Sequence, residues 1–337
     1  MDTPDDRAAA RLRWTRDMLH EPLLRLAPAS GDASFRSYWR GTRGTGRSVI
    51  VMDAPPAHED IRPWLDIAAR LRAAGLVAPE VYASDATLGF IAMQDLGSAT
   101  VLPLLTPDTV EVLYAHALDA LLIMQRKVDG SGLPLYDAPR LIAEMELLPT
   151  WFLERHLGTQ LACADWDTLE LAMRRLCNSA LAQPRVFVHR DYHSRNLLAL
   201  PDGGIGIIDF QDAVRGALTY DLVSLLKDCY IAWPAAQVRR WALDYRTRAI
   251  GAGLWPAARD EADFLRAFDL MGLQRHLKVL GIFCRLYYRD GKAQYLADLP
   301  RVLGYALEAA RADPDFADLA ALLQRATAGR DLTQPRA

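Results

Sequence analysis

The hydrophobic pattern divides the chain into an N-terminal part with several short strands and a longer part that is mostly helical. Residues 1 to about 28 follow a helical period, with an apolar face formed by Leu12, Leu19, Leu23 and Leu24. Four short apolar runs predict strands, at residues 35–39, 49–52, 81–83 and 90–93. A loop is predicted between the first two strands, at Gly41, Gly44 and Gly46. Residues 61–74 predict an amphipathic helix that Gly75 ends. From Thr109 onward the period is mostly helical.

A strand and a hairpin interrupt this helical part. Val186–Val188 is a short apolar run with β-branched residues, and it predicts a buried strand. Residues 197–200 and 205–210 predict two further strands. The turn Pro201-Asp202-Gly203-Gly204 between them predicts a hairpin.

Three polar residues on this segment have the order found in phosphoryl-transfer sites. Asp191 lies in the loop after the first strand, and the hairpin would bring Asn196 close to Asp209. In such sites the first Asp accepts the proton of the attacking hydroxyl, while the Asn and the second Asp hold Mg²⁺ on the phosphates. Each residue alone is more often a turn or capping residue, but the three together favour the catalytic interpretation. The sequence therefore predicts Asp191 as the base and Asn196 and Asp209 as metal ligands.

Composition limits the class of protein. With 337 residues, 51% of them hydrophobic and 24% charged, the chain can form two domain cores. No apolar run could span a membrane, and the acidic start Met1–Asp6 lacks the apolar segment of a secretory signal. Four widely spaced cysteines favour reduced thiols in the cytoplasm, at Cys163, Cys177, Cys229 and Cys284. The net charge of −3 argues against a nucleic acid partner, and nothing implies an obligate protein partner.

The catalytic segments resemble a known family. His189–Asn196 and Ile208–Gly216 resemble the aminoglycoside phosphotransferase and choline kinase family, a branch of the protein-kinase-like fold. Three further segments agree with it, Gly31–Arg36, Tyr220–Leu226 and Leu273–Gly281, and the similarity extends from about Leu19 to Leu307. Within this family the segments are most similar to bacterial kinases that phosphorylate the anomeric C1 hydroxyl of N-acetylmuramate or N-acetylglucosamine in cell-wall recycling.

This resemblance implies an α/β (α+β) protein with two lobes, ATP and Mg²⁺ as cofactors, and a small-molecule amino sugar as the substrate. A mostly β lobe at residues 1–96 would cover the nucleotide. A mostly helical lobe at residues 97–328 would carry the catalytic loop and the sugar site, followed by a flexible tail at residues 329–337. Two alternatives stay open: another small-molecule kinase of the aminoglycoside or choline kinase type, and a non-catalytic nucleotide-sensing module.

Two segments are candidates for contact with the nucleotide. The turn at residues 31–36 could direct backbone N–H groups at phosphates, with contacts from Asp32, Ser34, Phe35 and Arg36. A plain β-turn is the alternative. The segment at the predicted hinge between the lobes could bind adenine through Met93, Gln94 and Leu96. Here the alternative is a simple strand-to-helix linker with a methionine in the core.

One residue that kinases use is missing. Kinases carry a Lys on the strand after the phosphate loop, where it binds the α- and β-phosphates. Here that strand, predicted at residues 49–52, lies in the stretch Ser48–Ala54, which contains no Lys. The cations nearby that could replace it are Arg36, Arg40, Arg43 and Arg47. The acidic partner of such a cation is equally open, with Glu59 and Glu80 as candidates.

The helical segment Met271–Lys292 is strongly basic, and its cations include Arg275, Lys278, Arg285, Arg289 and Lys292. It could be a solvated helix face. Alternatively, part of it could meet anionic groups of the substrate, together with His276 and Arg215. A cationic site of this kind suits the lactyl carboxylate of N-acetylmuramate and repels a polycationic aminoglycoside.

Two further residues allow two interpretations each. His193 lies between Asp191 and Asn196, and it could contact substrate or brace the catalytic loop. Asp221 precedes the apolar run Leu222–Leu226. It could hold the catalytic loop through backbone N–H groups, or it could be the N-cap of a helix.

Overall fold

The computed structural model describes residues 4–31 and 35–336, and the chain forms two compact units. The first unit comprises Met1–Ile123 and Arg195–Asp212, and the second comprises Met124–Ser194 and Ala213–Ala337. The division therefore differs from the lobe boundary predicted at residue 96.

The predicted catalytic hairpin accounts for the second segment of the first unit, Arg195–Asp212. It consists of β7 (Leu197–Ala199) and β8 (Ile205–Ile207), which pair antiparallel. The backbone N–H of Ala199 donates to the carbonyl of Ala99 at 2.9 Å, and that of Ile207 donates to the carbonyl of Val77 at 2.8 Å. These bonds attach the hairpin to the first unit, although it lies far along the chain.

The first unit is built on an antiparallel sheet. Its strands are β1 (Leu26–Gly31), β2 (Ser37–Thr42), β3 (Ser48–Asp53), β4 (Val81–Asp85) and β5 (Phe90–Gln94), in the order β1-β2-β3-β5-β4. Two helices accompany the sheet, α1 (Pro4–Leu19) and α2 (Arg62–Ala73). The four predicted strands are all present, whereas β1 was not predicted.

The start of the chain differs from the predicted helix over residues 1–28. α1 ends at Leu19, because His20 has a left-handed backbone with φ 56° that ends the helix. Leu23, predicted on the apolar face, is 88% exposed. The predicted loop is present at Gly44 and Gly46, but its start is wrong, since Gly41 lies in β2. A Cβ there would lie only 3.0 Å from the carbonyl oxygen of Arg25, which accounts for the glycine.

β3 shows how the sheet separates a core from a second face. Val49 and Val51 are fully buried and belong to a hydrophobic core with Trp14. Side chains alternate along a strand, so Ile50 points to the opposite face. There it lies opposite Arg40 of β2 in the sheet register. This second face lines the cavity described below.

The second unit is mostly helical. Together with the end of α3 (Val110–Lys127), its helices are α4 (Ala138–Met145), a π-helical segment (Leu148–His156), α5 (Cys163–Leu181), α6 (Thr219–Leu226), α7 (Ala235–Gly251), α8 (Glu261–Asp290), α9 (Leu299–Ala312) and α10 (Ala317–Thr327). β6 (Arg185–Val188) pairs antiparallel with β9 (Val214–Ala217). Among the residues that the structure describes, no helix combines the length and the apolar character needed to cross a membrane.

α8 is the central helix of the second unit. It contains 30 residues and packs against α5, α6, α9 and the π-helical segment. A Cβ at Gly281 would collide with the backbone of Leu147, just beyond α4. Gly281 therefore permits α8 to approach the chain at the end of α4 closely. This approach places Lys278 of α8 beside Glu144 of α4.

The C-terminal segment predicted as a flexible tail packs on the second unit in its described part. Leu332 is buried, and Nε2 of His156 donates to its carbonyl at 2.9 Å. The backbone N–H of Arg336 donates to the hydroxyl of Tyr288 at 3.1 Å. These contacts are long-range, so the polar composition of the segment did not show them.

Candidate active site

The loop that carries Asp191 is held by a buried carboxylate. Asp221 is fully buried and accepts hydrogen bonds from the backbone N–H groups of His189 (2.7 Å) and Arg190 (3.0 Å). α6 begins at Thr219, so Asp221 lies inside the helix and is not its N-cap. Of the two predicted roles, the brace of the catalytic loop is confirmed and the N-cap is wrong. Burial raises the pKa of Asp221 to about 7, although the two N–H donors oppose this shift.

Arg190 has a strained backbone that two contacts hold in place. Its φ is 78°, a left-handed value, and such strain costs about 1–3 kcal/mol. Its N–H donates to Asp221, and its guanidinium forms an ion pair with Glu144 of α4. Strain of this kind persists only where the surroundings fix the conformation, and it is frequent at functional sites. Because Arg190 directly precedes Asp191, these contacts also fix the backbone of the predicted base.

Asp191 is half-buried and surrounded by cationic groups. Burial alone would raise its pKa. Four neighbours lower the pKa below its ordinary value instead, namely Lys278, His193, Arg190 and Arg275. The carboxylate is therefore ionised at neutral pH, which is the form that a general base requires.

Glu144 joins two of these cations in a buried network. Its carboxylate lies 3.1 Å from Nζ of Lys278 and also forms the ion pair with Arg190. The hydroxyl of Tyr136 donates to Glu144, and Nζ of Lys278 donates to the hydroxyl of Tyr220 at 3.1 Å. Burial alone would raise the pKa of Glu144, but Lys278 and Arg190 lower it. The ionised carboxylate thus holds two of the cations that act on Asp191.

A second buried carboxylate holds the other end of the catalytic loop. Asp228 accepts hydrogen bonds from the N–H (3.0 Å) and the hydroxyl of Ser194, and from the N–H of Tyr230 (2.9 Å). The ring of His193 meets the ring of Tyr230 edge-on, with centroids 5.4 Å apart. This contact supports His193 as a brace of the loop, whereas its contact with substrate stays a prediction.

Asn196 and Asp209 lie together at the hairpin, as predicted. Nδ2 of Asn196 donates to Oδ2 of Asp209 at 3.3 Å, and Nε2 of Gln211 donates to Oδ1 of Asp209 at 3.0 Å. Asp209 also has a left-handed backbone, with φ 63°. The next residue, Phe210, is fully buried and packs on Trp64 of α2, with ring centroids 5.1 Å apart. These contacts fix the position of the Asp209 carboxylate.

This pair suits a hard divalent cation. A carboxylate and an amide offer oxygen ligands, which Mg²⁺ prefers. In residues 4–31 and 35–336, no three His, Cys, Asp or Glu side chains are grouped so that they could hold a metal by themselves. Mg²⁺ commonly binds through one or two side chains together with phosphates and water. The donor set therefore fits a metal that binds with a nucleotide, and the assignment of Asn196 and Asp209 as metal ligands stays a prediction.

The first unit contains a cavity of about 430 Å³, a size typical of small-molecule sites. Three residues predicted to contact adenine line it, Met93, Gln94 and Leu96. Asn196 and Asp209 line it as well. The structure therefore brings the predicted hinge segment and the predicted metal ligands to one cavity.

The predicted phosphate-loop residues are placed differently. Asp32 and Ser34 lie outside the described residues. Phe35 is 65% exposed, and its ring stacks on that of His58 with centroids 4.4 Å apart. Arg36 lies at the predicted metal site, where its Nη2 is 3.7 Å from Oδ1 of Asp209.

The cavity wall also includes Tyr38 and Trp64, which were not predicted to contact nucleotide. Arg40, one of the four cations that could replace the missing lysine, lines it as well. Arg40 forms a bidentate ion pair with Asp95, with Nε to Oδ2 at 2.6 Å and Nη2 to Oδ1 at 3.1 Å. The hydrogen bond to Asp95 raises the pKa of Arg40. Residues 38 and 40 share one face of β2, so the alternation along this strand could have identified them.

Two of the predicted substrate residues are buried in α8. Arg275 is only 3% exposed, and its Nη1 donates to Sγ of Cys229 at 3.1 Å. His276 is fully buried, and its Nε2 donates to the carbonyl of Lys227 at 3.0 Å. Burial lowers the pKa of His276 to about 3, so the ring is neutral. His276 has no exposed surface with which to contact the substrate, so that prediction is not supported. The alternative of a solvated helix face is wrong for Arg275, because its side chain is buried.

The other two predicted substrate residues retain some exposure. Arg215 lies in β9, with its side-chain stem against Gly130. Arg285 is half-buried toward the end of α8, and burial lowers its pKa. Their contact with substrate stays a prediction.

Sequence reasoning missed Glu144 and Asp228. Glu144 lies on α4, which resembles any short amphipathic helix, and Asp228 follows α6 without a motif. The one available signal was indirect: any cation of the basic helix that is buried requires an anionic partner elsewhere in the chain. Finding that partner requires the tertiary structure.

Three features define the class of protein as a phosphotransferase of the protein-kinase-like fold. They are a sheet-based unit with a cavity, the loop of Asp191 held by Asp221, and the pair Asn196 and Asp209 at a hairpin. The chain belongs to the phosphotransferase enzyme family, which matches residues 25–265.

Two relatives are N-acetylmuramate/N-acetylglucosamine kinases. That of Pseudomonas aeruginosa is 47% identical over 307 residues, which are 90% of this chain and 88% of the relative. That of Pseudomonas putida is 45% identical over 309 residues, 91% of this chain and 90% of the relative. Among solved structures, an ADP-bound aminoglycoside phosphotransferase has a TM-score of 0.58 at 15% identity, covering 89% of this chain and 98% of its own. The structural similarity confirms the predicted fold class.

Proposed function

We propose that the protein transfers the γ-phosphoryl group of MgATP to the anomeric C1 hydroxyl of N-acetylmuramate, N-acetylglucosamine or both, as a step in peptidoglycan recycling. The relatives carry the names of kinases of these two sugars at 47% and 45% identity over about nine-tenths of the chain. The observation on which the chemistry depends is Asp191, a carboxylate kept ionised by cations on a loop that Asp221 braces.

In this proposal ATP occupies the cavity of the first unit. Met93, Gln94 and Leu96, which line it, would contact the adenine, and the neighbouring side chains of Asn196 and Asp209 would hold Mg²⁺. The bound Mg²⁺ would neutralise phosphate charge. Asp191 accepts the proton of the attacking hydroxyl. Because an anomeric hydroxyl is more acidic than an ordinary alcohol, Asp191 mainly positions it.

The cations of the second unit bear on the choice of acceptor. Lys278 and Arg190 share the carboxylate of Glu144, whereas Arg215 and Arg285 have half-buried side chains. A cation of this kind at the acceptor would repel a polycationic aminoglycoside and attract the lactyl carboxylate of N-acetylmuramate. This would favour the acetylated amino sugars over an aminoglycoside.

Phosphorus NMR of the product formed from N-acetylmuramate and ATP tests the proposal. We expect a sugar phosphate whose phosphorus couples to the anomeric proton. Asp191→Asn should lower turnover by about 10²-fold or more, the usual scale for a positioned base, while ATP still binds. ATP binding without turnover on any sugar would favour the nucleotide-sensing alternative, and phosphate on another hydroxyl would exclude the anomeric assignment.

A further inference from the structure

β3 confirms that no lysine is available at the usual phosphate-binding position. The strand spans Ser48–Asp53, and its cavity-lining residue is Ile50. Val49 and Val51 belong to the core on the other face. A cation that binds the nucleotide phosphates from this sheet must therefore come from another strand.

The neighbouring strand β2 and its flanks carry four arginines, and three of them form an ion pair with another carboxylate or lie exposed. Arg40 lines the cavity, but its guanidinium forms the bidentate ion pair with Asp95. Arg43 pairs with Glu21, with Nε to Oε1 at 3.4 Å. Arg47 is exposed in the turn before β3, where its carbonyl accepts the N–H of Arg43.

Arg36 differs from these three. It directly precedes β2, two residues before Tyr38, which lines the cavity. Its side chain is only 9% exposed, and its Nη2 lies 3.7 Å from Oδ1 of Asp209. The guanidinium thus lies beside the carboxylate proposed to hold Mg²⁺.

We propose that Arg36 replaces the missing lysine and binds the β- and γ-phosphates of ATP. The inference rests on the proposed function, because it takes Asp209 as the carboxylate on which the metal and its phosphates meet. A phosphate bound to a metal at Asp209 would be within reach of a cation already beside that carboxylate. Arginine suits this role, since its planar fork of N–H donors matches phosphate oxygens.

A purely structural role is the alternative. Arg36 could hold the Asp209 carboxylate in place without contacting the nucleotide. The two roles predict different losses of nucleotide affinity when Arg36 is removed. The losses differ in their dependence on the number of phosphates and on the presence of Mg²⁺. A phosphate contact acts on ATP even in EDTA, whereas a contact that only orients Asp209 acts through Mg²⁺.

The test is the affinity for ATP, ADP and AMP, measured by calorimetric titration in EDTA and again with Mg²⁺. Arg36→Ala should lower the affinity for ATP by about tenfold or more in both conditions, which is the loss expected for one charged hydrogen bond. The affinity for ADP should fall less, and the affinity for AMP should be nearly unchanged. Arg36→Lys keeps the charge without the fork, so its affinity for ATP should lie between those of the wild type and the alanine variant.

Arg43→Ala is the matched control, because it removes an arginine near the same strand that pairs with Glu21. Its affinity for all three nucleotides should match the wild type. Equal losses of affinity for ATP and AMP in Arg36→Ala would overturn the assignment, as would a loss seen only with Mg²⁺ or no loss at all. In each of these cases ATP binding by the wild type would leave the proposed function intact. A wild-type protein that binds none of the three would overturn both.

Discussion

The carboxylate of Glu144 lies 3.1 Å from the ammonium of Lys278, and both side chains are nearly buried. The same carboxylate pairs with Arg190, the residue before Asp191. One anion therefore compensates two cations that act on Asp191. A buried ion pair adds little stability compared with an apolar pair, but loss of one partner is costly because a charge stays behind uncompensated.

Glu144→Gln should therefore destabilise the protein. The change leaves Lys278 and Arg190 without their carboxylate, and we expect the free energy of unfolding to fall by about 3–5 kcal/mol. Urea unfolding at pH 7 measures this. The double variant Glu144→Gln/Lys278→Met should recover part of the loss, since it removes one of the two stranded charges. A single variant as stable as the wild type would show that the network is not needed for folding.

The stability from Glu144 should also depend on pH. Lys278 and Arg190 lower its pKa in the folded state, against the effect of burial. The stabilisation is therefore fully present above the unfolded pKa of about 4.3 and is lost as the pH falls through the lower folded value. In Glu144→Gln this acid-dependent part should be absent. Unfolding curves recorded at neutral pH and below pH 4.3 compare the two, and an equal acid sensitivity would contradict the expectation.

Lys278 should set the acid limit of catalysis. It heads the cationic neighbours that lower the pKa of Asp191, so the base stays ionised into the acid range. In the double variant Glu144→Gln/Lys278→Met the pKa of Asp191 should rise, because burial is then opposed by fewer cations. The acid limb of the kcat/KM profile should move to higher pH relative to the wild type. Lys127→Met, at an exposed position, is the control whose profile should not move.

Local patterns predicted much of this site, and long-range packing accounts for the rest. Asn196 and Asp209 were predicted together because the hairpin turn between them is a short-range signal. From the sequence, Asp221 could brace the catalytic loop or cap a helix, because in either role the residue would precede an apolar helical segment. The structure decides it through two N–H groups about thirty residues away in the chain. His276 was misjudged for the same reason, because helical spacing gives a face but not what covers that face.

Asp209 and Asn196 should differ in their effect on metal-dependent binding. Asp209→Ala removes a charged oxygen ligand, so Mg²⁺ should no longer strengthen ATP binding, and turnover should collapse. Asn196→Ala should weaken the Mg²⁺ effect less, because an amide carries no net charge. The measurement is the ATP affinity with and without Mg²⁺. Asp202→Ala, in the exposed hairpin turn, is the control that should behave as the wild type. Full activity in Asp209→Ala would exclude it as a metal ligand.

The last prediction concerns the sugar. Lys278 is engaged with Glu144, Arg275 with Cys229, and His276 is buried. Of the predicted substrate cations, Arg215 and Arg285 are left with half-buried side chains. If one of them meets the lactyl carboxylate, its change to alanine should raise KM for N-acetylmuramate.

A charged hydrogen bond contributes about 1.5–3 kcal/mol, so the rise should be about tenfold or more. KM for N-acetylglucosamine, which lacks the carboxylate, should stay nearly unchanged. Added salt should weaken only the muramate affinity, because only that sugar carries a charge to screen. Arg289→Ala is the matched control, since Arg289 is exposed on the same helix and pairs with Asp290. Equal losses for both sugars would mean that Arg215 and Arg285 shape the site or the fold and do not read the carboxylate.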